Sequence, residues 1–233
     1  MNAFIERYVE ADRETPKVLE FIRRARQKAG KPLEVLDVGC GYGRYLRRLG
    51  EAGDKAVGIE MNARTAAANR GEGLECWTPD EFQAQTVKSD RQYDVLLMSH
   101  IVEHLTPEEL LPFVDRHLDL LRPGGIFIVA TPLMSPYFYD DFDHVKPYHP
   151  IGFQMVFEAR NAQVQYASRN LVKLSDLWFR RSPFKPRFLR SLYFPSFGRK
   201  FFFIFGILTA LLFHLSLGGI GRKDGWVGVF VKS

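Results

Sequence analysis

Three glycines at alternating positions, Gly39, Gly41 and Gly43, follow an apolar run that contains one acid, Asp37. Glycine lacks a Cβ atom, so the backbone can approach a ligand closely and can adopt positive φ where a strand turns into a helix. The third glycine follows the first by four residues, whereas the dinucleotide fingerprint GxGxxG requires five. A carboxylate at Asp37 suits a cationic or hydroxyl-rich ligand better than an anionic one. The loop therefore predicts a nucleoside cofactor other than a dinucleotide.

A second acid, Glu60, follows this loop by about twenty residues and ends the apolar segment 57–59. A carboxylate in this position can accept hydrogen bonds from both hydroxyls of a ribose. The alternative is an exposed residue beside a helix N-cap. With the glycine loop upstream, we expect Glu60 to bind the sugar.

Imidazole and carboxylate groups concentrate after the apolar segment 93–99. His100, Glu103 and His104 are spaced i, i+3 and i+4, so a helix that begins at the strand end would place all three on one face. Histidine is the side chain best suited to accept a proton near neutral pH. The three groups could also bind a divalent metal, or Glu103 and His104 could simply cap and orient the helix. HxxEH occurs in zinc peptidases as well, but the glycine loop argues against that class.

The segments that must position these residues alternate between strand and helix patterns. A helical region interrupted near Pro16 is expected over about 3–29. Strands are predicted at 34–38, 56–60, 74–77, 93–99, 126–131, near 163–168 and at 225–231, and helices at 44–52, 63–70, 107–120 and near 151–160. This alternation predicts an α/β, Rossmann-like, doubly wound and mostly parallel sheet with helices on both faces. Ligands bind at the carboxyl ends of such strands, where the glycine loop, Glu60 and Ser99 fall.

The glycine loop with Asp37 resembles the first motif of class I S-adenosylmethionine-dependent methyltransferases, and the resemblance extends over residues 33–168. Segments 93–105 and 121–125 resemble the branch of ubiquinone and bacterial surface-glycan O-methyltransferases. The resemblance implies that S-adenosyl-L-methionine is the cofactor and S-adenosyl-L-homocysteine the product, with the adenine beside 78–81. The cofactor-binding residues that we predict are Asp37, Gly39, Cys40, Gly41, Gly43, Glu60, Met61, Asp80, Ser99 and His100.

A later loop, 139–150, resembles the Asp-x-x-His-Val-x-x-Tyr segment of bacterial surface-glycan methyltransferases. Methyl transfer from a sulfonium uses an activated donor, so the protein mainly aligns the acceptor and excludes water. We expect His144 to be the general base or to orient the acceptor, with Asp143 and Tyr148 positioning it. The alternative is a structured loop whose side chains pack on the sheet.

The predicted catalytic residues are His144, His100, His104 and Glu103. A Glu-x-x-Glu-His arrangement holds a metal in small-RNA and ubiquinone methyltransferases, and here His100 stands in place of the first Glu. We therefore assign no metal, although the same four residues are the candidates for one.

Positive charge is concentrated late in the chain. The formal net charge is +5, and nine Lys or Arg residues lie between 169 and 200 against one acid, Asp176. Such a block favours an anionic partner. The two cysteines, Cys40 and Cys76, argue against a disulfide framework, and the first residues lack the features of a signal peptide, so a cytoplasmic location is expected.

The segment 201–221 contains no formally charged residue and is long enough to span a bilayer. If 225–231 completes the sheet, however, both ends of this segment must remain on one side of a membrane. Segment 178–221 then fits an anchor in the interface of an anionic membrane, peripheral on its inner face. A buried helix or a dimer helix is the alternative. Single-stranded nucleic acid is less favoured, because no recognised RNA-binding motif accompanies the basic run.

The predicted organisation is flanking helices at 1–30, a methyltransferase core at 31–168, a basic and apolar insertion at 169–224 that forms a substrate or membrane lobe, and a final core strand at 225–233. We expect methyl transfer to oxygen, with a glycan or lipid-linked hydroxyl as acceptor. A small aromatic or quinone-like acceptor, or a non-catalytic cofactor-binding module, remains open.

Overall fold

The structure is a computed structural model that describes residues 12–86, 91–158, 165–184, 194 and 198–233. Its elements, in chain order, are α1 (Glu14–Ala29), β1 (Glu34–Val38), α2 (Arg44–Glu51), β2 (Lys55–Ile59), α3 (Ala63–Gly71), β3 (Glu75–Trp77), α4 (Pro79–Thr86), β4 (Tyr93–Ser99), a 3-10 turn (Val102–His104), α5 (Pro107–Leu118), β5 (Leu121–Pro132), a second 3-10 turn (Phe138–Asp140), α6 (Pro150–Phe157), β6 (Val172–Ser182), α7 (Gly198–Leu215) and β7 (Arg222–Lys232).

The seven strands form one mixed sheet in the order β3-β2-β1-β4-β5-β7-β6. Strands β1 to β5 pair in parallel, and β7 is antiparallel. The strand order reverses between β1 and β4, and ligands bind outside the carboxyl ends of the strands at such a switch point. The Rossmann-like fold predicted from the sequence is confirmed.

The central strands are buried because their side chains are apolar on both faces. Val35, Leu36, Val95 and Leu97 are at most 1 % exposed, as expected for parallel strands that carry helices on both sides. Helix α5 shows how the local sequence fixes an element that follows β4. Thr106 and Glu109 cap each other's backbone in a capping box, so the helix begins directly after the 3-10 turn.

Two predicted elements differ from the structure. Helix α1 begins at Glu14 and includes Pro16 in its first turn, where the missing N–H costs no hydrogen bond; the expected helix before residue 12 lies outside the described residues. The prediction of a strand near 163–168 is wrong for residues 165–168, which do not form one. The strand begins later in the chain, as β6. Ser168 and Asn170 hydrogen-bond the buried carboxylate of Asp115, which draws this segment away from a strand ladder.

The chain divides into two compact units. The larger comprises Glu14–Trp178 and Trp226–Ser233, and the smaller comprises Met1–Arg13 and Phe179–Gly225. Among the residues described, no helix has the length and apolar character needed to cross a membrane. The smaller unit begins at Phe179, within strand β6; the expected insertion at 169–224 and its role as a substrate or membrane lobe stay predictions.

Candidate active site

The glycine loop leaves β1 with all three glycines at positive φ, 76° for Gly39, 54° for Gly41 and 72° for Gly43. A Cβ atom on Gly39 would lie 2.0 Å from Ile101 Cδ1, whereas a Cβ atom on Gly41 would meet nothing within 4 Å. Glycine is therefore favoured at Gly39 by the positive φ and by packing, since a side chain there would displace that of Ile101. At Gly41 it leaves space beside the backbone, which is what a ligand lying along the loop needs.

Asp37 and Glu60 face this loop with different hydrogen bonding. Asp37 is buried, and its Oδ2 has no hydrogen-bond partner among the described residues. Burial raises the pKa of Asp37 to about 7, against the opposing effect of Arg44 and with a smaller contribution from Glu60. Glu60 accepts hydrogen bonds from the N–H of Gly41 at 2.9 Å and of Asn62 at 2.8 Å.

These two carboxylates fit a cationic nucleoside cofactor. A buried carboxylate oxygen without a partner costs free energy unless a donor or cation satisfies it, and the ammonium of S-adenosylmethionine is such a group. Each oxygen of Glu60 keeps a further lone pair, since a carboxylate has about four acceptor sites. Glu60 is thus held by the loop and can still accept from ribose hydroxyls.

The other predicted cofactor residues lie in different surroundings. Met61 is 85 % exposed, Asp80 is exposed in the first turn of α4, and Ser99 is half-buried at the end of β4. Cys40 instead points its thiol into the core, where its Sγ lies 3.4 Å from that of Cys76. Only the main chain of Cys40 can therefore face a ligand.

His100 lies between two buried carboxylates. Its Nδ1 is 3.0 Å from Glu103 Oε1, and its Nε2 is 2.8 Å from Glu14 Oε1. Burial lowers the pKa of His100, but the hydrogen bonds to Glu103 and Glu14 outweigh burial and raise it to about 9. His100 is therefore an imidazolium at neutral pH, hydrogen-bonded to both carboxyl groups.

The prediction that His100, Glu103 and His104 share one face of an α-helix is wrong. His100 has a φ of 59°, in the left-handed region, and only a 3-10 turn follows it. The turn sends the His100 ring toward Glu14 and Glu103. His104 turns instead toward the loop after β5.

Three ligand-type side chains do come together. Each of Glu103, His104 and His144 offers one atom to a group in which all such atoms lie within 4.8 Å of one another. Nδ1 of His144 is 2.6 Å from the carbonyl oxygen of Phe138, and Nδ1 of His104 is 3.1 Å from that of Asp143. Because a carbonyl oxygen only accepts, Nδ1 carries the proton in both rings. The Nε2 atoms are then the basic and metal-binding positions.

The residues expected to position His144 act elsewhere. Tyr148 donates to the carbonyl oxygen of Leu105, and Asp143 contacts His104 through its main chain. His144 is oriented by Phe138, whose ring lies 4.7 Å from the imidazole and whose carbonyl oxygen accepts from Nδ1, and Asp141 Oδ2 lies 3.7 Å from Nε2. Proximity along the chain to Asp143 and Tyr148 was a poor guide to these contacts.

Sequence reasoning gave no site role to Glu14, Thr131 or Trp77. Glu14 opens helix α1, where an acid is ordinarily favoured by the helix dipole, so nothing local distinguishes it. Thr131 donates to Glu103 Oε2 at 3.0 Å from strand β5. The buried indole N–H of Trp77, at the end of β3, has no hydrogen-bond partner among the described residues, which makes it a further candidate for contact with a cofactor.

Comparison with known proteins places this site in a family. The sequence pattern of the family described as "Methyltransferase domain" matches residues 8–174. The ubiquinone biosynthesis O-methyltransferase of Chelativorans sp. (strain BNC1) is 30 % identical over 111 residues, which cover 45 % of this chain and 43 % of that protein. That of Agrobacterium fabrum is 29 % identical over 130 residues, covering 50 % and 51 %. The chain thus spans about half the length of these curated relatives or less.

Solved structures share the fold. An S-adenosylmethionine-dependent methyltransferase from Archaeoglobus fulgidus has a TM-score of 0.58 at 20 % identity, covering 99 % of this chain and 98 % of that one. The plantazolicin methyltransferase BamL, solved with S-adenosylhomocysteine, has a TM-score of 0.55 at 14 % identity, covering 99 % and 90 %. The family match covers more than half of the chain, which therefore belongs to the methyltransferase-domain family of class I S-adenosylmethionine-dependent methyltransferases.

Proposed function

We propose that the enzyme methylates a hydroxyl oxygen and that His144 Nε2 takes the proton from that hydroxyl. The observation that supports this most directly is the tautomer of His144: its Nδ1–H is committed to the carbonyl oxygen of Phe138, which leaves Nε2 as the acceptor. The His144 side chain is 13 % exposed. A histidine fixed in this tautomer beside the carboxyl ends of β4 and β5 is suited to general base catalysis.

Bound S-adenosylmethionine supplies a methyl group activated by a sulfonium. On the protein side, Asp37 is suited to hold a cationic part of the cofactor, and Glu60 is suited to hold the ribose. The backbone at Gly41 leaves space for the ligand between them. A donor that is already activated leaves the protein mainly to align the acceptor and exclude water. A hydroxyl acceptor must also lose its proton during the reaction, so the protein must provide a base.

In this proposal, Glu103 connects His100 and Thr131 with the loop that carries His144. Its carboxylate contacts His100 and Thr131, and its carbonyl oxygen accepts from the N–H groups of Val145 and Lys146. The main-chain contacts hold the loop that carries His144. His100, already protonated, acts as a positioning residue rather than as the base.

The acceptor that we propose is a hydroxyl of a glycan or of a lipid-linked intermediate. A quinone-like phenol is a second candidate, because curated relatives are O-methyltransferases of ubiquinone biosynthesis. Release of S-adenosylhomocysteine with a cell-envelope extract, compared with a small catechol, separates these acceptors. No release with either acceptor contradicts the proposal and favours a non-catalytic cofactor-binding module.

His144→Gln tests the base. We expect kcat to fall by about 10²- to 10⁴-fold, the usual contribution of general base catalysis, while affinity for S-adenosylhomocysteine changes less than about twofold. His149→Gln is the matched control, because His149 is exposed in the same loop and has no role in the proposal. Equal activity of the two variants would contradict it.

A divalent metal held by Glu103, His104 and His144 is the competing mechanism that this cluster supports. Imidazole nitrogens and a carboxylate are suitable ligands for such an ion. Metal analysis of the purified protein, followed by exhaustive chelation, separates the two. Activity that survives chelation supports the base, and activity restored by added metal supports the ion.

A further inference from the structure

Helix α7 of the smaller unit has no polar face. Its covered side is a stripe of small and aromatic residues, and Ala210 and Phe213 there are 1 % and 2 % exposed. The opposite stripe is also apolar, with exposures between 43 % and 73 %: Phe201, Ile204, Leu208, Leu211 and Leu215. A helix that is apolar all round is normally buried on all sides. The exposed stripe therefore needs a cover.

Polar groups near this stripe turn away from it. Thr209 donates its hydroxyl to the carbonyl oxygens of Phe184 and Gly206. After the helix, Leu217 is 90 % exposed and Ile220 51 % exposed, which extends the apolar surface beyond Leu215. We call the five-residue stripe, with Leu217 and Ile220, the apolar surface of α7.

The sequence around this surface is rich in positive charge. Between 179 and 225 the sequence has nine Lys or Arg residues and one acid, Asp224, and Asp224 is already paired with Arg180. Lys200 is exposed in the first turn of α7, where a cation is unfavourable for the helix dipole. Helix stability therefore does not explain Lys200. Lys200 is thus available to an anionic partner.

We propose that the apolar surface of α7 docks on an anionic lipid membrane and lies in its interface. Apolar side chains then enter the boundary between headgroups and acyl chains while the basic residues meet acidic headgroups, as interfacial helices do. A second copy of the chain fits less well, because it would bring two strongly positive segments together. This inference is independent of the acceptor of the methyl group.

Flotation with lipid vesicles tests the docking. We expect the full-length protein to float with phosphatidylcholine vesicles that contain about one third phosphatidylglycerol, to stay unbound with phosphatidylcholine alone, and to dissociate as salt is raised. Ile204→Gln with Leu208→Gln should lower partitioning at least about tenfold, since two exposed apolar side chains lose their lipid contact. Glutamine keeps good helix propensity.

The matched control is Ile151→Gln with Met155→Gln, a pair of exposed residues at the same spacing in α6 of the larger unit. It should leave flotation unchanged. Lys200→Gln should lower partitioning by about fivefold, and Lys28→Gln, exposed in α1, should not. The thermal shift with S-adenosylhomocysteine shows whether the α7 variant with two Gln residues is folded. If it is not, the Lys200 variant and the salt dependence of flotation test the docking instead.

Three results would overturn the inference: no flotation with anionic vesicles, an equal loss in the α6 control, or a wild-type dimer without lipid that the α7 variant converts to monomer. The last would show that a second copy covers the surface. Failure here is distinguishable from failure of the proposed function, because release of S-adenosylhomocysteine with a water-soluble acceptor depends on His144 and not on α7.

Discussion

The cofactor half and the proposed acceptor half of the candidate active site are built from different parts of the chain. The cofactor half is formed mainly by the conformation of the backbone. Three glycines with positive φ and two nearby acids lie within residues 37–60. Around the proposed acceptor position, polar side chains converge from α1, the 3-10 turn after β4, β5 and the loop beyond β5. The first half depends on local conformation. The second depends on burial and long-range pairing.

The largest effect is expected on the acceptor side, from His100→Ala. Without its imidazolium, the buried carboxylates of Glu14 and Glu103 lose a positive partner, and breaking a buried ion pair costs about 3–5 kcal/mol of the free energy of unfolding. His117→Ala is the control. Burial lowers the pKa of His117 to about 4, so it is neutral, and its loss strands no buried charge. Chemical denaturation at pH 7 measures both, and equal losses would contradict the paired-charge interpretation.

The pH dependence of stability gives a second view of the same pair. The folded pKa of His100, about 9, is above the ordinary value of 6.5. A raised pKa contributes stability that is complete below pH 6.5 and is lost as the pH rises through about 9. We therefore expect the wild type to lose stability across this window and His100→Ala to lose less. Parallel curves for the two proteins would count against the assignment.

On the cofactor side, Gly39→Ala and Gly41→Ala form a matched pair. Both place a side chain at positive φ, at a cost of about 1–2 kcal/mol. Only Gly39→Ala also forces a Cβ atom against Ile101, so its total loss of stability should reach about 2–4 kcal/mol. Gly41→Ala should instead reduce affinity for S-adenosylhomocysteine by at least about tenfold, because its methyl group occupies the open face of the loop. Denaturation and calorimetric titration separate the two effects.

The two halves also differ in how far the sequence predicts them. The glycine spacing, Asp37 and Glu60 are readable because strand, loop and following strand are continuous in the chain and their geometry is dictated locally. Glu14 lies 86 residues from His100, and only the folded chain shows that they meet. His104 and His144 were both candidates, but the contact between them depends on the 3-10 turn. The i, i+3, i+4 spacing predicted an α-helix there instead. The position of strand β6 was predicted wrongly for a similar reason, since residues 168–170 hydrogen-bond Asp115 of α5, far away in the chain.

A smaller effect should follow from the charge of Asp37. Its folded pKa of about 7 means that the free protein carries a proton there at acidic pH, and a cationic cofactor favours the ionised form. Affinity for S-adenosylmethionine should therefore rise with pH by up to about tenfold per unit below pH 7 and level off above it. Asp37→Asn should remove this slope. An unchanged slope in that variant would show that another group titrates with binding.

The smallest effect is expected at the edge of the cofactor half, where Asp80 was predicted to lie beside the adenine. Asp80 is exposed, so Asp80→Asn should weaken S-adenosylmethionine binding by no more than about fivefold, the value of one hydrogen bond. The adjacent acid, Glu81, accepts from the N–H of Thr78 at 2.8 Å and pairs with Arg70. Glu81→Gln should therefore lower stability slightly and leave affinity unchanged. If Glu81→Gln weakened binding more than Asp80→Asn, the adenine contact would belong to Glu81, and this border of the cofactor half would depend on side-chain pairing, like the acceptor half.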